Sequence, residues 1–304
     1  MSELRVRLFG TLEIRRGLAS ELSLEGRKAQ ELFCYLLLAR DRQCPREALA
    51  ALLWPEAPPE RAKKYLRQAT WRIRTMLDSP THRDGRVLTA GPEWLQIAAD
   101  AAVWTDVEAF EAAAQGAAGV RAEALDAAQV LQLRKAVELY RGDLLESWYQ
   151  DWCLFERERL QNVYLTLLDK LCFFYEQRSE PEPAIVLALR ILRIDPAREH
   201  THRSLMRLHL LAGDRTAALR QFVRCQAALR DELGVPPAAE TARLYHAIHG
   251  DGGQAGTGIR GPDLDRLTGT IAALRQLQPS LTELKDQLDR HIDALDRLAR
   301  RTGR

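Results

Sequence analysis

Apolar and polar positions alternate at the start of the chain. Leu4, Val6 and Leu8 are separated by Arg5 and Arg7, and Leu12 and Ile14 flank Glu13. That period of two predicts short strands over residues 4–25, punctuated by Gly10 and Gly17. From Arg27 the period becomes helical, with Ala29, Leu32, Phe33, Leu36 and Leu37 on one face. A second helix is expected from Pro45, a good first-turn residue, carrying Leu49, Leu52 and Leu53. The prolines of Trp54–Pro59 bar a helix interior and predict a loop. A third helix, residues 60–77, repeats Ala62, Leu66, Ala69, Ile73 and Leu77 at steps of three and four. Arg86–Ile97 then reads as two strands around a Gly91-Pro92 turn.

Strands, three helices and a hairpin are the layout of a winged helix, in which the third helix enters the major groove. Beyond Ala98 the pattern is helical throughout, with helices expected near 105–117, 121–140, 150–178, 181–194, 197–212, 215–232 and 238–249. Two stretches match at an offset of 34 residues: Ala184 with Ala218, Leu171 with Leu205, and Phe174 with Leu208. Paired helices at that period are the mark of tetratricopeptide-like repeats. Residues 250–262 are Gly-rich and predict a flexible linker. In the tail, Leu264, Leu267, Ile271 and Leu274 fit one heptad frame, and Leu281, Leu284, Leu288, Leu295 and Leu298 fit another, with Pro279 between them. The expected fold class is therefore an α+β winged helix over 1–99, an all-α tetratricopeptide-like domain over 100–249, the linker, and a coiled-coil-like helical tail over 263–304. The tail is read as an oligomerisation element, so a homo-oligomer is expected.

Composition narrows the class. The 304 residues carry a formal net charge of +2, which excludes a uniformly basic histone-like protein. The excess sits at the N-terminal end, where residues 1–100 hold 17 basic against 13 acidic side chains. Five widely spaced cysteines without a C-x-x-C pair read as free, buried thiols. With no apolar signal segment and no run near the ~20 residues of a membrane span, a cytoplasmic protein without a membrane partner is expected.

The third helix changes the picture most. Between Arg61 and Arg74 it holds Arg61, Lys63, Lys64, Arg67, Arg72 and Arg74 and no acidic residue. If Leu66, Thr70, Ile73 and Leu77 face the core, a step of about 100° puts Arg61, Lys64, Gln68, Trp71, Arg72 and Thr75 on the far side. Lysine and arginine there pair with phosphates and reach guanine edges, while glutamine suits adenine. Lys64, Gln68 and Arg72 are assigned to the groove, Arg61 and Arg67 to phosphates, and Trp71 to packing or a sugar contact. Arg86 and Thr89 in the hairpin, and Arg27 and Lys28 at the start of the first helix, are further backbone candidates.

Several motifs together carry a family resemblance: Arg5-Val-Arg-Leu-Phe-Gly-Thr-Leu12, Gly26-Arg-Lys-Ala-Gln-Glu-Leu32, Pro45-Arg-Glu-Ala-Leu49 with Leu53-Trp-Pro55, and the basic helix itself. Asp106-Val-Glu-Ala-Phe110, Tyr140-Arg-Gly-Asp-Leu-Leu145, Trp152 with Glu156-Arg-Glu-Arg-Leu160, and Leu233-Gly-Val-Pro-Pro237 complete the set over about residues 4–249. The chain resembles bacterial transcriptional regulators of the antibiotic regulatory protein type. The resemblance implies an OmpR/PhoB-type winged helix fused to a bacterial transcriptional activation domain. It further implies binding to repeated promoter sites on double-stranded DNA and activation through RNA polymerase, by its sigma or alpha subunit. Larger members carry an ATPase module. Here Gly252 to Gly258 lacks the Gly-Lys-Ser/Thr ending of a phosphate loop.

Other chemistry is thin. His200 and His202, or His246 and His249, lack a third metal ligand. Asp143, Glu146, Asp151 and Glu156 lack a nucleophile and read as helix caps. No enzyme, cofactor or metal is expected. The aromatic cluster Trp148, Tyr149, Trp152, Phe155, Tyr164, Phe173, Phe174 and Tyr175 is expected to pack as core. The competing reading is a helical-repeat interaction scaffold, or a sensor of a small-molecule effector bound between helices, with DNA binding secondary.

Overall fold

The computed structural model describes residues 3–17, 20–77 and 87–250. The linker and tail readings for 251–304, and Arg86, lie outside them. Three short strands open the chain: β1 (Leu4–Arg7), β2 (Glu13–Arg16) and β3 (Ser20–Glu21). Then come α1 (Arg27–Leu38), β4 (Cys44–Pro45), α2 (Arg46–Leu53) and α3 (Pro59–Leu77). The hairpin β5 (Leu88–Ala90) and β6 (Trp94–Ile97) leads into β7 (Val103–Thr105) and α4 (Asp106–Gly116). A 3-10 turn at Ala122–Ala124 precedes α5 (Ala127–Leu139). The chain continues as α6 (Asp151–Gln177), α7 (Pro181–Ile194), α8 (Glu199–Leu211), α9 (Arg215–Leu233) and α10 (Ala239–Gly250). The protein is thus mostly helical, with a small N-terminal sheet region.

Two of these strands were not expected. β4 pairs antiparallel with β6, giving the order β4-β6-β5. β7 pairs parallel with β1, Leu4 facing Val103 and Val6 facing Thr105, so chain beyond residue 99 completes the sheet β3-β2-β1-β7. The expected helix over 121–140 is instead a 3-10 turn and a shorter helix. Asp126 resets the start: its carboxylate accepts from Gln129 N at 2.8 Å, and the Gln129 side chain returns the bond to Asp126 N.

Just after β7 the chain is fastened to its own beginning. Asp106, buried, accepts from Leu8 N at 2.8 Å and Phe9 N at 3.1 Å. From the other side Leu145 N donates to Leu8 O, and Glu146 N donates to Gly10 O. Burial pushes the Asp106 carboxyl up, against the pull of the backbone N–H donors. Leu145 has a φ of 46°, a region costly for a branched residue. Arg157 holds that turn by donating to the carbonyls of Leu144, Leu145 and Trp148.

The helical half is built from two stacked pairs, α6 with α7 and α8 with α9. The offset of 34 residues falls on equivalent core positions. Ala184 and Ala218 are fully buried, and Leu171, Leu205, Phe174 and Leu208 are buried as well. Among the described residues no helix is long and apolar enough to cross a membrane.

The aromatic cluster divides. Trp148, Trp152, Tyr164, Phe174 and Tyr175 are buried, but Tyr149 is 77% exposed and Phe155 73%, so the expectation of a uniform core fails for these two. Phe173 is also exposed. Tyr149 precedes α6, and Phe155 is exposed although Trp152, three residues before it in the same helix, is buried.

Candidate nucleic-acid interface

The third helix begins at Pro59, whose missing N–H costs nothing in a first turn. It ends where Arg16 of β2 donates to Leu77 O at 2.9 Å, a cation on the negative end of the helix. Ala62, Leu66, Ala69, Thr70, Ile73 and Leu77 are buried. The Thr70 hydroxyl donates to Leu66 O at 2.7 Å, so the one polar member of the stripe is satisfied inside its own helix.

Opposite this stripe the apex of α3 is open. Arg61, Lys64, Arg67, Gln68 and Thr75 are exposed, and Trp71 is 64% exposed. Among the described residues none of Arg61, Lys64 or Arg67 has a carboxylate partner. Only Lys63 is paired, with Glu47 at 3.2 Å and Glu60 at 3.6 Å. Tyr65 lies on a flank, tilted against Trp54 at 6.0 Å between ring centroids.

Arg72 departs from the expected position. It is half-buried, and its guanidinium lies against Gly26, where a Cβ would collide with it. Arg72 sits on the edge of the exposed face, so its long side chain folds toward α1 rather than outward. Gly26 serves twice: its φ of 88° suits glycine, and its bare Cα makes room for the guanidinium.

The first turn of α1 is occupied as well. Arg27 stacks over the Trp148 ring at 4.2 Å and donates to Ser147 O at 3.1 Å. Lys28 Nζ lies 2.8 Å from Glu31 Oε2. This is an ion pair rather than a directed hydrogen bond, since Oε2 has no hydrogen-bond partner. Glu31 is 1% exposed, and its other oxygen accepts from Trp152 Nε1 at 3.2 Å. Of two cations expected on phosphates, Arg27 therefore ties α1 to the helical half, while Lys28 pairs within α1 itself. Thr89, half-buried, donates to Gln96 O at 3.1 Å across the hairpin.

One cation escaped the sequence reading. Arg46, at the first turn of α2, lines a cleft of about 930 Å³ between the α3 flank and the β5–β6 turn. Arg67 and Arg74 line it too. Burial first, and then these two neighbouring charges, lower the Arg46 pKa. The available signal was the position of Arg46 directly after Pro45, whose strand pairing fixes the start of α2.

The described histidines and the cysteines form no centre. No group of metal-ligating side chains gathers among the described residues. His200 lies 3.3 Å from Asp169. His202 contacts Pro196 O at 2.8 Å and the Gln221 amide at 2.7 Å. All five cysteines are free and buried.

Residues 105–249 match the bacterial transcriptional activator domain family. Transcriptional regulatory protein MoaR1 of Mycobacterium bovis is 25% identical over 244 residues, covering 79% of this chain and 78% of that one. Regulatory protein DnrI of Streptomyces peucetius is 29% identical over 245 residues, covering 73% and 84%. Among solved structures, Mycobacterium tuberculosis EmbR in complex with a low affinity phosphopeptide superposes with a TM-score of 0.67 at 20% identity. It covers 91% of this chain and 72% of that one, and shows a shared fold. The activator-domain match over residues 105–249 and these relatives make the chain similar to bacterial transcriptional regulators and support the resemblance to the antibiotic regulatory protein type.

Proposed function

We propose that residues 1–99 act as a winged-helix DNA-binding module, that residues 100–249 carry the activating function, and that α3 enters the major groove of promoter DNA. The observation that carries this reading is the open apex of α3: Arg61, Lys64 and Arg67 are exposed and, among the described residues, unpaired, beside Gln68 and Trp71. Desolvating no internal ion pair, these cations are free to displace counterions from phosphates. Lys64 and Gln68 read base edges, Arg61 and Arg67 hold phosphates, and Trp71 lies against the sugar-phosphate rim. Arg72 acts at the margin of this contact, from its place against Gly26. Arg27 orients the module on the helical half, and Lys28 is engaged by Glu31 within α1. The helical half then contacts RNA polymerase, and pairing of protomers matches repeated half-sites.

The test is selection of duplexes from a random pool with the full chain, followed by Lys64→Ala with Gln68→Ala. The double variant is expected to keep its thermal stability and lose its preference for the selected duplex. Retention of full sequence preference would overturn the reading.

A further inference from the structure

The cleft beside α3 holds more charge than the fold neutralises. Arg46, Arg67 and Arg74 line it, and none of the described carboxylates pairs with them. The two acidic residues at its rim do not compensate: Glu47 is engaged by Lys63, and Glu93 reaches none of the three guanidinium groups. Arg46 is half-buried and feels both other arginines. Three like charges converging on one cleft repel each other, and an anion seated among them relieves that repulsion.

We infer that this cleft holds the phosphodiester backbone of one DNA strand, with Arg46 and Arg74 as register anchors that read no bases. The inference rests on the proposed α3–DNA contact and adds to it a second, sequence-independent site. Charge complementarity favours a polyanion, since one monovalent anion leaves most of the repulsion in place. The position favours DNA, because Arg67 belongs both to the exposed apex of α3 and to the cleft wall. A strand lying beside the helix in the major groove therefore runs past the cleft mouth. The floor is rigid: β4 pairs with β6, setting Cys44 opposite Leu95 and Pro45 opposite Trp94, and this holds Arg46 against the hairpin. Arg46 N also donates to Glu93 O at 2.8 Å. Bidentate guanidinium groups on a fixed frame suit phosphate oxygens.

The experiment compares the full chain with Arg46→Ala, Arg74→Ala and the double variant on two duplexes. One is the selected sequence and the other an unrelated sequence of equal length, both titrated across salt concentrations. Each substitution is expected to weaken binding to both duplexes by the same factor. Each should also reduce the slope of log K against log salt by about 0.9. Arg46→Gln should match Arg46→Ala, as charge is what matters. Unchanged slope in the double variant overturns the inference while leaving the α3 reading intact. Loss confined to the selected duplex also overturns it, because it would make these arginines base readers. If the unsubstituted chain binds neither duplex, the proposed function falls with it. Competition by inorganic phosphate at equal charge concentration, with no effect of the substitutions on DNA, would assign the cleft to a free anion instead.

Discussion

α3 and α8 are both arginine-bearing helices, yet they treat their cations in opposite ways. Around α8, Arg198 pairs with Asp169, Arg203 with Glu199 and Glu240, and Arg207 with Glu176 at 2.9 Å. Arg203 also donates to Thr241 at 3.1 Å. On α3, Arg61, Lys64 and Arg67 pair with no described carboxylate. Counting basic residues cannot separate a structural helix from a ligand-facing one. What separates them is whether the fold supplies the counter-charge. For α8 it comes from Asp169 and Glu176 of α6, from Glu240 of α10 and from Glu199 of α8 itself. Among the described residues no further layer lies above α3.

The sharpest way to break this contrast is charge reversal on each helix. Lys64→Glu with Arg67→Glu should weaken DNA binding by about 1,000-fold, since two favourable phosphate terms become repulsive. The melting temperature should stay put. A gel-shift titration beside a thermal melt checks both halves. A large fall in melting temperature would mean that the α3 cations are structural.

Asp169→Ala is the converse. It removes the partner of Arg198 and the neighbour of His200, and should cost about 1–2 kcal/mol in urea unfolding. DNA affinity should be unaltered, and a change in it would show that the two regions are coupled.

Acid should separate them next. Burial lowers the His202 pKa below its ordinary value of 6.5, so the folded protein binds fewer protons there than the unfolded chain. His202 is 3% exposed and held neutral between Pro196 O and Gln221. Its contribution is complete above 6.5 and is lost as pH falls from there toward the folded pKa. The slope from this group cannot exceed about 1.4 kcal/mol per pH unit. Thermal melts from pH 8 to about 5 should show the decline, and His202→Phe should flatten it. An identical decline in the variant would assign the acid sensitivity elsewhere.

The smallest effect concerns Lys63, the one cation of α3 paired among the described residues. Glu47→Gln leaves it only Glu60 and should raise DNA affinity only slightly, by about two-fold. A loss of affinity would mean that Glu47 itself contacts DNA.

Much of this contrast was legible in the sequence, because it rests on local periodicity. The buried stripe of Leu66, Thr70, Ile73 and Leu77 follows from spacing alone, as does the match of Ala184 with Ala218. The family match supports the regulator reading, as the quoted motifs implied. What escaped depends on partners far along the chain. Strands of two and three residues, such as β4 and β7, carry no periodic signal. Arg27 looks like a free cation until Ser147, 120 positions away, is brought beside it. Arg72 fell on the boundary of its face, where a small rotation decides between solvent and Gly26. Tyr149 and Phe155 were misread because aromatic density marks a core only when the helix turns every ring inward.

The pairing of β7 with β1 has a practical consequence. A fragment cut near residue 99 looks, by its motifs, like a self-sufficient DNA-binding piece. It would lack Val103–Thr105, leaving the backbone of Leu4–Arg7 unpaired along one side. It would also lack Asp106, leaving the Leu8 and Phe9 N–H groups bare. An open, apolar strand edge is a template for another chain. Such a fragment is expected to self-associate through that edge, and one extended through α4 to stay dispersed, a difference that light scattering would register.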